Sequence, residues 1–206
     1  MTGRRGLLGG LAAAYAAFAL TFRGPRERFW QRMTLTGLAL GSLALAAEPG
    51  LRRTRLRPRD LATGTAAAGA LYGVFAVGDR LARRIMPRGG PEIDGVYALR
   101  SLRPTGEIAA RLALVIGPAE ELFWRGFVQG RLVQRFGRWP GAALATAAYG
   151  GAHAVTGNAT LVGAASVAGG FWSALRGAGV PMGALVACHA IWDVAIFLVA
   201  PTAARR

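Results

Sequence analysis

The chain has 206 residues, 53% of them apolar, a formal net charge of +15 and a mean hydropathy of +0.34. That balance excludes an ordinary soluble domain, and the long apolar runs separated by arginine clusters describe a polytopic membrane protein instead. The arginines fall between apolar runs without interleaved aromatics or an RNA-binding motif, so anionic lipid headgroups, and not nucleic acid, are the expected partner of the positive charge.

Apolar runs lie at about 6–22, 33–47, 61–78, 108–128, 139–155, 159–175 and 180–200. Roughly 20 helical residues span about 30 Å of hydrocarbon, and a helix satisfies its own backbone there. The runs lack the alternation of a membrane β-barrel strand. The expectation is an all-α, polytopic helical membrane bundle of about seven transmembrane segments.

In chain order, the first run follows Arg4-Arg5 and has the basic start, apolar middle and small residues of a secretory signal. The next apolar run begins only about ten residues later, so an uncleaved first helix is expected. Arginines follow both the first run (Arg23, Arg26, Arg28, Arg32) and the second (Arg52, Arg53, Arg55, Arg57, Arg59), so their distribution assigns no orientation. The third run carries Gly64-Thr65-Ala66-Ala67-Ala68-Gly69-Ala70 and the sixth Gly163-Ala164-Ala165-Ser166-Val167-Ala168-Gly169-Gly170. Small residues let helices approach closely in lipid, which predicts a tight bundle.

The longest polar connection, about 79–107, holds Pro87, Gly89, Gly90 and Pro91 and a mildly amphipathic piece from Ile93 to Leu102, suited to the membrane interface. It divides the chain into amino-terminal helices with the interfacial connection, 1–107, and a carboxyl-terminal core, 108–206, that holds every intramembrane ionisable candidate. The single cysteine, Cys188, excludes an internal disulfide framework and reads as a core residue. All 25 basic residues are arginine, which points to a G+C-rich coding sequence and hence to a bacterial cell membrane.

Six residues are the candidates for chemistry. Titratable groups cost several kcal/mol in hydrocarbon, so acids and histidines kept there mark a functional site. Glu120 and Glu121 follow Pro118, and Glu121 and Arg125 are four apart with the acid toward the amino end, the favourable order for a helical ion pair. Glu120 projects about 100° away. Either Arg125 holds Glu121 while Glu120 faces a cavity, or the reverse, and spacing leaves both open. Pro118 removes a backbone donor and predicts a disturbed helix beside the carboxylates. His189 and Asp193 are also four apart, and His153 follows Tyr149-Gly150-Gly151-Ala152.

Jointly these residues resemble the motifs of the CPBP family, the intramembrane proteases that include type II CAAX prenyl endopeptidases and relatives linked to bacteriocin processing or immunity. Glu120-Glu121-Leu122-Phe123-Trp124-Arg125 fits EExxxR, Tyr149-Gly150-Gly151-Ala152-His153 looks like FxxxH with tyrosine for phenylalanine, and His189-Ala190-Ile191-Trp192-Asp193 is similar to HxxxN or HxxxD. The resemblance covers roughly 108–200. It implies an endopeptidase acting on a membrane-associated peptide or protein, with Glu120, Glu121, Arg125, His153, His189 and Asp193 as catalytic residues. Glu120 and His153 would activate water, Glu121 paired with Arg125 would shape the carboxylate site, and His189 with Asp193 would bind the oxyanion or position the water.

Glu120, His153, His189 and Asp193 could alternatively hold a divalent metal whose bound water is the nucleophile; zinc suits imidazole and carboxylate donors, although the HExxH spacing is absent. Two other readings stand beside the protease: a catalytically silent membrane adaptor or immunity protein, and a small transporter, which would more often show interrupted helices in paired halves.

Overall fold

The structure is a computed structural model that describes residues 3–202. Its described residues form helices and no strands. In chain order they are α1, Gly3–Arg23; α2, Phe29–Ala47; α3, Pro58–Ile85; the short α4, Gly89–Tyr97; α5, a continuous helix over 105–136; α6, Arg138–Ala152; α7, Ala159–Gly177; and α8, 182–199. Each apolar run read from the sequence is centred on one of the long helices. By length and composition three of them can cross a membrane among the described residues: Arg5–Arg23, Pro58–Ile85 and Met182–Val199.

α5 is the central element, packed against α1, α2, α6, α7 and α8. Its sequence explains its shape. Pro118 offers no N–H, and the neighbouring ladder widens to π-helical geometry over Leu112–Ile116 and Glu121–Val128, with the Gly117 N–H reaching the Leu112 carbonyl. A wide turn of this kind is characteristic of functional sites. Here it carries Glu121, Phe123, Trp124, Arg125, Phe127 and Val128, all buried.

α3 and α8 make the most extensive helix pair. They run parallel: Gly64 meets Ala184 and Ala187, and farther along the Tyr72 hydroxyl donates to the Ala200 carbonyl at 2.7 Å. A Cβ on Gly64 would sit 2.6 Å from the Ala187 Cβ, so the close approach needs glycine. The expected tight bundle is therefore realised, most plainly here.

The interfacial piece lies partly over the bundle. α4 packs on α3 and α7, the Glu92 carboxylate accepts from the Thr160 N–H at 2.8 Å, and the Tyr97 hydroxyl donates to the Ile196 carbonyl at 3.1 Å. Glu92 is held below the usual carboxylate range by those hydrogen bonds at the start of α7. α1 is equally integrated: Ala14 and Phe18 are completely buried, and the Tyr15 hydroxyl donates to the Ala148 carbonyl at 3.0 Å.

Candidate active site

The six candidate residues converge from three helices: Glu120, Glu121 and Arg125 from α5, His153 from the turn that ends α6, and His189 and Asp193 from α8. Glu121 and Arg125 are 0% and 1% exposed, which places a complete ion pair inside the protein. The Arg125 Nη1 donates to Glu121 Oε1 at 3.1 Å, and its Nη2 donates to the Gly169 carbonyl on α7 at 3.3 Å. The guanidinium lies 4.6 Å from the Tyr149 ring centre and 5.0 Å from that of Trp172. Planar charge between aromatic faces suits arginine, whose weakly hydrated fork tolerates burial better than an ammonium.

Glu121 has a second partner that spacing could not reveal. His189 Nδ1 donates to the same Oε1 at 2.8 Å, while His189 Nε2 lies 3.5 Å from Asp193 Oδ2. The i,i+4 pairing of His189 with Asp193 is thus present, but the closer carboxylate comes from α5. Trp172 fixes the imidazole plane by stacking on it at 3.9 Å between centres and 17° between planes. Its own Nε1 donates to the buried Cys188 Sγ at 3.3 Å, so Cys188 is the core residue expected.

Glu120 is 5% exposed and turned elsewhere. Its Oε2 accepts from the Tyr149 hydroxyl at 2.8 Å. The tyrosine that departs from the FxxxH pattern therefore adds a hydrogen bond to a site carboxylate that phenylalanine could not make. The backbone of the same residue serves His153: Nδ1 donates to the Tyr149 carbonyl at 2.9 Å, which leaves Nε2 as the free ring nitrogen. Phe18 and Phe22 of α1 contact that ring at 5.1 and 6.0 Å between centres.

Glu120, Tyr149, His153, Trp172, His189 and Asp193 all line one cavity of about 820 Å³. Its remaining walls are largely apolar and include Phe29, Trp30, Phe75 and Phe197. Glu121 and Arg125 stand behind this lining. The geometry favours the first of the two assignments left open by the sequence, with Arg125 holding Glu121 and Glu120 facing the cavity. Glu121 Oε2 and Arg125 Nε find no protein partner in their buried positions, and groups of this kind are ordinarily satisfied by buried water.

Tyr149's hydroxyl, Trp172 and the two α1 phenylalanines are the parts of the site that sequence reading missed or left undecided. A tyrosine substituted into an otherwise recognisable motif was the only signal for any of them. Trp172 lies just after a small-residue run, and Phe18 and Phe22 lie in a segment without a motif.

The fold and site together define an integral membrane helical protein with carboxylates and histidines gathered in an intrabundle cavity. Residues 107–195 match the sequence model of the family described as type II CAAX prenyl endopeptidase Rce1-like, and this part of the chain is similar to that family. The match bears out the family resemblance read from the three motifs, all of which lie inside it. At the level of the family it implies a CAAX-type intramembrane endopeptidase and a membrane-associated peptide substrate. The comparisons with curated proteins and with solved structures gave no match.

Proposed function

We propose that this protein hydrolyses a peptide bond of a membrane-associated protein or peptide, using Glu120 as general base and a water held between Glu120 and His153. The observation that carries the proposal is the shared cavity: Glu120, His153, His189 and Asp193 face one space, whereas Glu121 and Arg125 are withdrawn behind it. Glu120 takes a proton from the water as its oxygen attacks the scissile carbonyl carbon, and later returns the proton to the leaving amine as the C–N bond breaks. The free Nε2 of His153 accepts the water's other hydrogen and orients its lone pair. His189, anchored by Glu121 and stacked on Trp172, turns its protonated Nε2 edge to the developing oxyanion. Asp193 balances that charge, and the Tyr149 hydroxyl fixes the Glu120 rotamer.

Zinc remains an experimental arm of the proposal. Glu120, His153, His189 and Asp193 offer the donor types that zinc takes. Among the described residues, however, no three His, Cys, Asp or Glu side chains are grouped as a metal site.

The test is cleavage of a membrane-peptide library by purified protein in lipid nanodiscs, comparing wild type with Glu120→Ala and His153→Ala, with and without chelator. Cleavage by wild type that both variants lose supports the protease, and chelator sensitivity would add a metal to it. Cleavage that survives both substitutions contradicts the proposal. A folded wild type that turns over no member of the library would favour the silent adaptor or immunity reading.

A further inference from the structure

A second concavity lies at the opposite end of the α3–α8 pair from the Tyr72–Ala200 contact, where both helices begin. It has a volume of about 250 Å³ and is lined by Arg53, Arg55, Arg57, Arg59 and Asp60 together with Thr54 and Pro181–Gly183. The four arginines are exposed, whereas Asp60, Met182 and Gly183 form a buried floor. None of the four guanidinium groups is in ion-pair contact with a carboxylate among the described residues. The one acid in the pocket is already engaged: Asp60 Oδ2 accepts from the Arg57 N–H at 3.0 Å. The first turn of α8 carries no acidic residue and no side-chain cap.

This arrangement is more specific than a basic loop near a membrane. Four arginines against one occupied carboxylate leave an excess of three positive charges around a preformed hollow. The hollow has room for a phosphate group and several waters, each water filling about 30 Å³. Gly183 lets the Arg55 carbonyl close on the start of α8, which fixes the arginine-bearing segment to that helix. Both α3 and α8 are long and apolar enough to span the membrane, and because they run parallel and start together, the pocket sits where they enter the lipid. Planar guanidinium forks match phosphate oxygens, and an anionic leaflet concentrates those oxygens at this depth.

We propose that this pocket binds the phosphate of an anionic phospholipid headgroup, held by Arg53, Arg55, Arg57 and Arg59. Binding there sets the depth of α8 in the bilayer. His189 and Asp193 lie 7 and 11 residues beyond Met182, or about 10 and 16 Å along a helix. A headgroup clamped at the pocket thus keeps the cavity within the hydrocarbon layer. The proposal does not depend on the peptidase reading, and its test needs no substrate.

The test uses the full chain in nanodiscs of phosphatidylcholine doped with fluorescent phosphatidylglycerol, reading energy transfer from the protein's tryptophans. Each arginine near an anionic surface is worth about fivefold in affinity, so replacing all four with glutamine should reduce the preference for phosphatidylglycerol over phosphatidylcholine by tenfold or more. A variant with all four replaced by lysine should keep most of the preference, which guards against misfolding or altered insertion. Exposed arginines elsewhere, Arg84, Arg88, Arg135 and Arg138, serve as the control set, and their replacement with glutamine should leave the preference unchanged. Equal preference in the pocket glutamine variant, or equal loss in the control variant, would overturn the site. Inorganic phosphate is added as competitor in a further arm: displacement at millimolar concentration would identify free phosphate as the occupant, and no displacement the lipid headgroup.

Discussion

Replacing Arg125 with leucine tests whether the ion pair is as deeply buried as the structure places it. Arg125 makes two hydrogen bonds, to Glu121 and to the Gly169 carbonyl, and sits between two aromatic rings at 1% exposure. Leucine fills part of the volume but leaves the completely buried Glu121 with His189 alone. Removing one partner of a buried pair costs about 3–5 kcal/mol, mostly because the other charge is stranded. For a chain of this size that is a fall of about 6–20 °C in midpoint temperature. The assay is equilibrium unfolding in mixed detergent micelles, applied to Arg125→Leu, Glu121→Leu and the double variant. The double variant should be more stable than the sum of the single losses predicts by about 1–3 kcal/mol, because it strands neither charge. A single loss below about 1 kcal/mol, the range of exposed pairs, or strictly additive losses, would refute the burial argument.

Tyr149→Phe removes only the hydroxyl that donates to Glu120 at 2.8 Å. A hydrogen bond to a charged group is worth about 1.5–3 kcal/mol, so kcat should fall by about one to two orders of magnitude with KM nearly unchanged; an equal rise in KM would place the hydroxyl in substrate binding instead. Gly64→Val should lower stability by about 1–3 kcal/mol through overpacking against Ala187, seen in the same unfolding titration, whereas Gly69→Val, whose Cβ meets nothing within 4 Å, should be tolerated. The Glu92 carboxylate is depressed by hydrogen bonds at the start of α7. Its contribution is therefore complete above the ordinary glutamate range and is lost as pH falls through the lower, folded value. Protection of the α4 amides, taken relative to the intrinsic exchange rate at each pH, should fall on acidification in wild type but show little such acid dependence in Glu92→Gln.

Within single helices the sequence was highly legible. Seven apolar runs correspond to seven long helices, and the i,i+4 spacings anticipated both the Glu121–Arg125 pair and the approach of Asp193 to His189. Pro118 signalled a disturbed helix, though not that the ladder would widen into π-turns on both sides. What periodicity could not supply was anything joining distant segments. The Glu121–His189 bond spans 68 residues and the Tyr149–Glu120 bond 29, and each depends on how helices cross, which no local spacing encodes. The same limit hid α1. Its Phe18 and Phe22 pack on His153, so the motif-free first half of the chain helps to wall the site. The amphipathic piece near Ile93 was read from its composition as interfacial, yet α4 also closes over the cavity through contacts with α3 and α7.

The division of labour between the adjacent glutamates is the central claim, and single-turnover cleavage of a membrane peptide by Glu120→Gln and Glu121→Gln tests it most directly. A general base contributes about 10²–10⁴-fold. The account predicts that Glu120→Gln loses the chemical step by that factor while remaining folded and binding the peptide, and that Glu121→Gln chiefly loses stability. Cleavage by Glu120→Gln at the wild-type rate, with Glu121→Gln folded but inactive, would contradict it.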